Sequence, residues 1–153
     1  MANKMRLLAI MVLTVLFSVG SLFAQTVQSA KEDLESDDDA KIIAAADFLG
    51  SKKEASAVPK LSELTTNPNM SVRLHSVMAL GNIGKNDAVE ALNAVLVNDE
   101  NAQVRYAALL STIRIGSDQS NETLEQIIET ETDPLIQDLL TKREQKRASG
   151  KKK

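Results

Sequence analysis

The sequence predicts an all-α protein, a short solenoid of stacked antiparallel helix pairs about three and a half repeats long. Three observations lead there. Aromatic residues make up 3% of the chain, with no Trp, while 43% of residues are hydrophobic. Small aliphatic side chains on that scale suit closely packed helices better than a sheet. Secondly, a shift of 32 residues superposes Ala40, Val72, Val104 and Ile136 in one column and Lys41, Arg73, Arg105 and Gln137 in the next. Thirdly, apolar positions inside each unit recur at the three- and four-residue spacing of a helix face. A fixed period of this length marks units that bury their apolar sides only by stacking on neighbours.

Residues 1–24 read as an export signal. Lys4 and Arg6 precede an apolar run over residues 7–17, and Ser18, Gly20, Ser21 and Ala24 follow it; this is the charged, apolar, small-residue order of a secretory signal. Cleavage is expected after Ala24, or else after Ser21, and places the protein in the periplasm or outside the cell. The competing reading is an uncleaved anchor, since residues 7–24 are just long enough to span a bilayer. Without residues 1–24 the chain carries 16 basic and 21 acidic side chains, a net charge of −5. There is no cysteine, which excludes both a lipidated N-terminal Cys and a disulfide framework.

Charge is unevenly placed. Residues 31–39 hold six acids against one base, and residues 142–153 hold seven bases against Glu144 alone. Residues 25–35 are expected to be a flexible acidic lead-in, residues 36–147 the folded domain and residues 148–153 a disordered basic tail. The basic tail could touch anionic lipid, nucleic acid or an acidic partner, but is read as a solvated end, and no nucleic acid is expected to bind.

Seven helices are expected. The first covers residues 40–49, after Ser36-Asp37-Asp38-Asp39, whose carboxylates suit the positive end of the helix dipole. An outer helix over residues 58–65 turns at Asn67-Pro68-Asn69 into an inner helix over residues 71–83, closed by Gly84. Asp87 stands as N-cap to Ala88, Ala91, Leu92, Val95 and Leu96, one stripe of a second outer helix. Beyond Asp99-Glu100-Asn101, the positions Val104, Ala108, Ser111, Thr112 and Ile115 repeat that spacing, and Gly116 supplies a left-handed cap. A third outer helix covers residues 121–130. Asp133 as cap and Pro134 at the first helical position open the last helix, with Leu135, Ile136, Leu139 and Leu140 apolar.

Residues 72–84, Val-Arg-Leu-His-Ser-Val-Met-Ala-Leu-Gly-Asn-Ile-Gly, followed by Asp87-Ala88-Val89-Glu90-Ala91-Leu92, resemble the HEAT repeat of the type first described in phycobilisome lyases. A second copy begins at Val104-Arg105 and ends at Ile115-Gly116, and the resemblance covers roughly residues 36–141. It implies a right-handed HEAT-like solenoid whose inner helices line a concave face. It also implies a ladder in which the acid ending each outer helix meets an inner-helix arginine, here Asp99 and Glu131 with Arg73 and Arg105. Lys41 and Gln137 depart from the family's Arg, and Thr112 from its Leu, which marks the first and last units as caps or degenerate copies.

No catalytic constellation emerges. His75 is the one histidine, so a triad or imidazole metal site has a single available centre, and a structural or surface role is the better reading. Asp37-Asp38-Asp39 lacks the glycine and spaced carboxylates of a calcium loop. Gly81 and Gly84 follow a helix rather than a strand and make no phosphate loop. No metal and no cofactor are expected. The functional hint is a column pointing away from the core, read as Ile42, Leu74, Met78, Tyr106, Leu110 and Ile113. If exposed, it is a docking stripe for a protein or peptide; if covered, it is ordinary core. The reading adopted is a non-catalytic scaffold of the cell envelope, with a membrane-associated protein or a lyase-related accessory component as alternatives.

Overall fold

The computed structural model describes residues 25–150, which form eight helices and no strand. They are α1 (Val27–Asp33), α2 (Asp39–Lys52), α3 (Val58–Leu64), α4 (Met70–Ile83), α5 (Val89–Asn98), α6 (Ala102–Ile115), α7 (Gln119–Ile127) and α8 (Pro134–Gly150). Short 3-10 turns, Ala55–Ala57 and Asn86–Ala88, lead into α3 and α5, so Asp87 belongs to a turn rather than capping α5.

Each inner helix starts from the same chemistry. The side chains of Asp38, Asn69 and Asn101 accept a hydrogen bond from the backbone N–H two residues on. Asp133 accepts from both Leu135 and Ile136 and opens α8. These groups answer N–H donors that a helix start leaves unpaired. At the other end, Gly84 and Gly116 take φ of 72° and 69°, and Lys53 takes 54° at the end of α2.

Helices pair as α1 with α2, α3 with α4 and α5 with α6, and the inner helices α2, α4 and α6 pack in sequence. The core runs unbroken through the stack, with Leu34, Leu49, Leu61, Leu80, Leu92 and Leu109 all fully buried. Leu124, Ile136 and Leu140 continue it into α7 and α8. Among the described residues no helix is long and apolar enough to cross a membrane.

Three expectations need correction. Residues 25–35 are not a flexible lead-in: Thr26 and Ser29 form a capping box, α1 follows, and Ala30 and Leu34 are buried against α2. This eighth helix is the missing outer partner of α2, so the half repeat is a whole one and the described units number four. The acids that suggested disorder lie on the solvent side of a helix whose apolar positions face inward. At the other end, α8 continues to Gly150, so residues 148–150 are helical rather than a disordered tail. The signal expected over residues 1–24 lies outside the described residues.

The third correction concerns register. From cap to cap the inner helices repeat at Asp38, Asn69, Asn101 and Asp133, a step of 31 and then 32 and 32. A uniform shift of 32 therefore misplaces the first unit by one residue. Lys41, not Ala40, falls in the column of Val72, and Ile42 falls in the column of Arg73. One residue turns a helix by about 100°, enough to move Ile42 from the exposed stripe into the core, where it is 4% exposed.

Two glycines set how closely inner helices approach. A Cβ on Gly50 would lie 2.9 Å from the Ala79 backbone, and one on Gly81 would lie 2.6 Å from the Ser111 Cβ. The Ser111 hydroxyl also donates across this seam to the Val77 carbonyl at 3.1 Å. The equivalent position in α6 is Ile113, which is 39% exposed, and the α6–α8 joint is the sparsest between inner helices. We expect Gly81→Ala to lower stability by about 1–3 kcal/mol through overpacking. Lys53→Gly should raise it by about 1 kcal/mol by relieving the left-handed backbone. Urea midpoints by circular dichroism measure both.

Candidate functional site

Two residue systems decorate this stack: a charged ladder along the turns and an apolar face on the inner helices. In the ladder, Arg73 Nε and Nη2 donate to the Asp99 carboxylate at 2.8 and 3.1 Å, while Nη1 donates to the Asn67 and Pro68 carbonyls. One turn further along the stack, Arg105 Nε and Nη2 donate to Glu131 at 2.9 and 2.8 Å, and its Nη1 donates to the Asp99 and Glu100 carbonyls. Each guanidinium thus ties its own turn to the carboxylate of the next.

The same carboxylates bind their own turns. Asp99 accepts from the Asn101 N–H, and Glu131 from those of Thr132 and Asp133. Gln137 occupies the arginine position of α8 and donates to the Glu131 carbonyl, keeping the local bond without a further acid. In α2 that position is Ile42, which packs instead of bonding. The hydrogen bonds to Asp99 and Glu131 raise the pKa of Arg73 and Arg105. The bonds from Arg105 hold the Glu131 carboxyl below its ordinary value of 4.5, against the opposing effect of burial.

A hollow of about 470 Å³ opens beside this ladder, between the Asn67-Pro68 turn and the end of α5. Its walls include Arg73 and Asp99, but their charges already face each other in a two-point pair. The ladder is therefore spent on holding repeats in register and offers little to a ligand.

The inner face is different in kind. A groove of about 310 Å³ runs between α4 and α6, lined by Leu74, Met78, Tyr106 and Leu110, with Asn82 and Arg114 bonded to each other at its far end. It is continuous, through Leu74, Gln103 and Tyr106, with a second groove of about 380 Å³ that reaches Asp133 and Leu135 at the start of α8. Met78, Leu110, Ile113 and Leu135 remain 44%, 39%, 39% and 56% exposed, and among the described residues Val97 is the one other large apolar side chain left so open. Leu74 and Tyr106 are half-buried at the groove floor.

Of the stripe read from sequence, then, the structure brings Leu74, Met78, Tyr106 and Leu110 together along one groove, leaves Ile113 exposed at the α6 position that faces α8, and withdraws Ile42 into the core. Leu135 belongs to the groove and was read only as an apolar position of the last helix. Its exposure follows from the open α6–α8 joint, which no local pattern announces. His75 Nδ1 lies 2.7 Å from Asp47 Oδ1, a link between α4 and α2 at the edge of the face. Among the described residues no group of three His, Asp or Glu side chains could hold a metal ion.

A family profile described as HEAT repeats matches residues 27–113 and again residues 71–142. The chain belongs to the HEAT-repeat family. The match begins at the first residue of α1, in keeping with a complete first helix pair. A search of curated proteins finds no match. HEAT repeats commonly serve as non-catalytic scaffolds for protein interactions.

The pKa of Glu131 sets a pH dependence for this HEAT stack. A carboxyl depressed by folding stabilises the fold above its unfolded pKa and loses that contribution as pH falls through the folded value. We expect the urea midpoint to fall as pH drops below 4.5. Glu131→Gln should flatten that part of the profile, and Arg105→Ala, which strands a buried carboxylate, should cost about 3 kcal/mol at neutral pH.

Proposed function

We propose that this chain is a non-catalytic protein-binding scaffold of the cell envelope, holding a polypeptide against the inner-helix face. The observation that carries this reading is the exposed apolar lining of the joined grooves, with Met78 and Leu110 on the inner helices and Leu135 at the start of α8. Apolar area left in water costs about 25 cal/mol per Å², and a contiguous patch of it marks a surface used for binding. The remaining polar chemistry is consistent with a passive role. The ladder arginines are paired, and His75 meets one carboxylate and no nucleophile.

Export rests on residues 1–24, with their basic start, apolar middle and small-residue end. The same run supports the second reading, an envelope protein held by an uncleaved N-terminal helix; mass spectrometry of the N-terminus from the native source separates the two. For the binding role, Leu110→Asp places a charge in the groove at an already solvated position. It should weaken retention of the bound polypeptide by at least about tenfold while leaving the helical circular-dichroism signal and urea midpoint close to those of the parent. Equal loss of fold and retention would assign Leu110 to the core and end the proposal.

A further inference from the structure

Counted from each cap, the ninth residue of the inner helices is Asp47 in α2, Met78 in α4, Leu110 in α6 and Lys142 in α8. All four are exposed, and within one chain Asp47 meets His75 while Lys142 meets Asp138. Across the stack this row reads acid, apolar, apolar, base. Such a row is complementary to itself when turned end for end.

Resting on the reading of the inner face as a protein-binding surface, we propose that the polypeptide it takes is a second copy of this chain. The two copies would be related by a twofold axis that runs parallel to the inner helices, midway between α4 and α6. This operation places α2 of one copy over α8 of its partner and α4 over α6. Asp47 then faces Lys142 twice, at the two flanks, and Met78 faces Leu110 twice, at the centre. An interface of this kind uses one patch on both subunits, which is the commonest way for a soluble chain to close an oligomer.

Neighbouring rows obey the same operation. Five residues from the cap stand Ile43, Leu74, Tyr106 and Asp138, so the operation sets the apolar groove floors, Leu74 and Tyr106, over each other and Ile43 over Asp138 at the flanks. Thirteen residues from the cap stand Ser51, Asn82, Arg114 and Lys146, so Asn82 meets Arg114, repeating between copies the bond these two make within one. None of these three inner-face rows sets like charges opposite each other. The other face-to-face twofold, with its axis across the helices, puts Asp47 on Asp47 and Lys142 on Lys142 and is disfavoured by repulsion.

The test is sedimentation equilibrium of the full chain across a concentration series. Dimer is expected, weakened by salt. Asp47→Lys or Lys142→Asp alone should weaken association about tenfold or more, and the two together in one chain should restore it to near the parent value. Because the chain has no cysteine, cross-linking has no background. A mixture of Met78→Cys and Leu110→Cys chains should form a disulfide-linked dimer under mild oxidation, while neither alone does. A dimer indifferent to Leu110→Asp and to the charge exchange would refute this pairing, as would cross-linking of Met78→Cys with itself. A chain that stays monomeric but retains a different polypeptide on the face refutes self-pairing and leaves the scaffold reading standing. A monomer that retains nothing refutes both.

Discussion

A helix pair of this chain cannot bury its own apolar surface, and everything else in the structure follows from the need for a neighbour to cover it. Val72 on α4 is fully buried, as are Val77 and Leu80 on other sides of the same helix, which takes neighbouring helices on more than one side. Solenoid stability is a sum over such shared interfaces, so no unit stands alone and the ends need helices with a solvated outer side. At the N-terminus α1 is that helix: Ala30 and Leu34 turn inward while Glu32 and Glu35 stay in water.

Apolar stacking is non-directional, and two devices turn it into one arrangement. The arginine ladder clamps each turn to the next through paired guanidinium–carboxylate bonds whose geometry tolerates little sliding. Such largely buried pairs contribute more to register than to net stability, since desolvation offsets much of their attraction. The glycine seam sets the distance between inner helices, letting α2 close on α4 and α4 on α6. Both devices lapse at α8: Gln137 stands in the arginine position and Ile113 in the glycine position. The groove beside Leu135 lies at this sparser joint.

Departures inside the core show how much the stack tolerates. Thr112 occupies the slot that Leu80 fills in α4, and its buried hydroxyl finds no partner among the described residues. A leucine there would fill the site with no polar atom to satisfy, so this position weakens the third unit relative to the second. The inner face carries no such compromise between polar and apolar demands. Its floor is apolar, with Leu74 and Tyr106 half-buried between α4 and α6.

Fold class was legible in the sequence because helical periodicity, closing glycines and the repeat of about 32 residues are signals carried by the chain itself. The ladder itself was implied by the family resemblance, which left open which arginine each acid meets; the structure joins Arg73 to Asp99 and Arg105 to Glu131, each 26 residues apart. The first unit was misread because its step is 31 rather than 32, and a one-residue slip carries Ile42 a quarter turn or more around its helix. Helix α1 escaped notice because a dense run of acids masks two inward apolar positions. Which apolar residues of the inner helices stay in water was a tertiary decision. A side chain such as Leu110 is as hydrophobic as Leu109 beside it, and exposure depends on whether another helix arrives to cover it, a fact written in the spacing between helices and not in either residue.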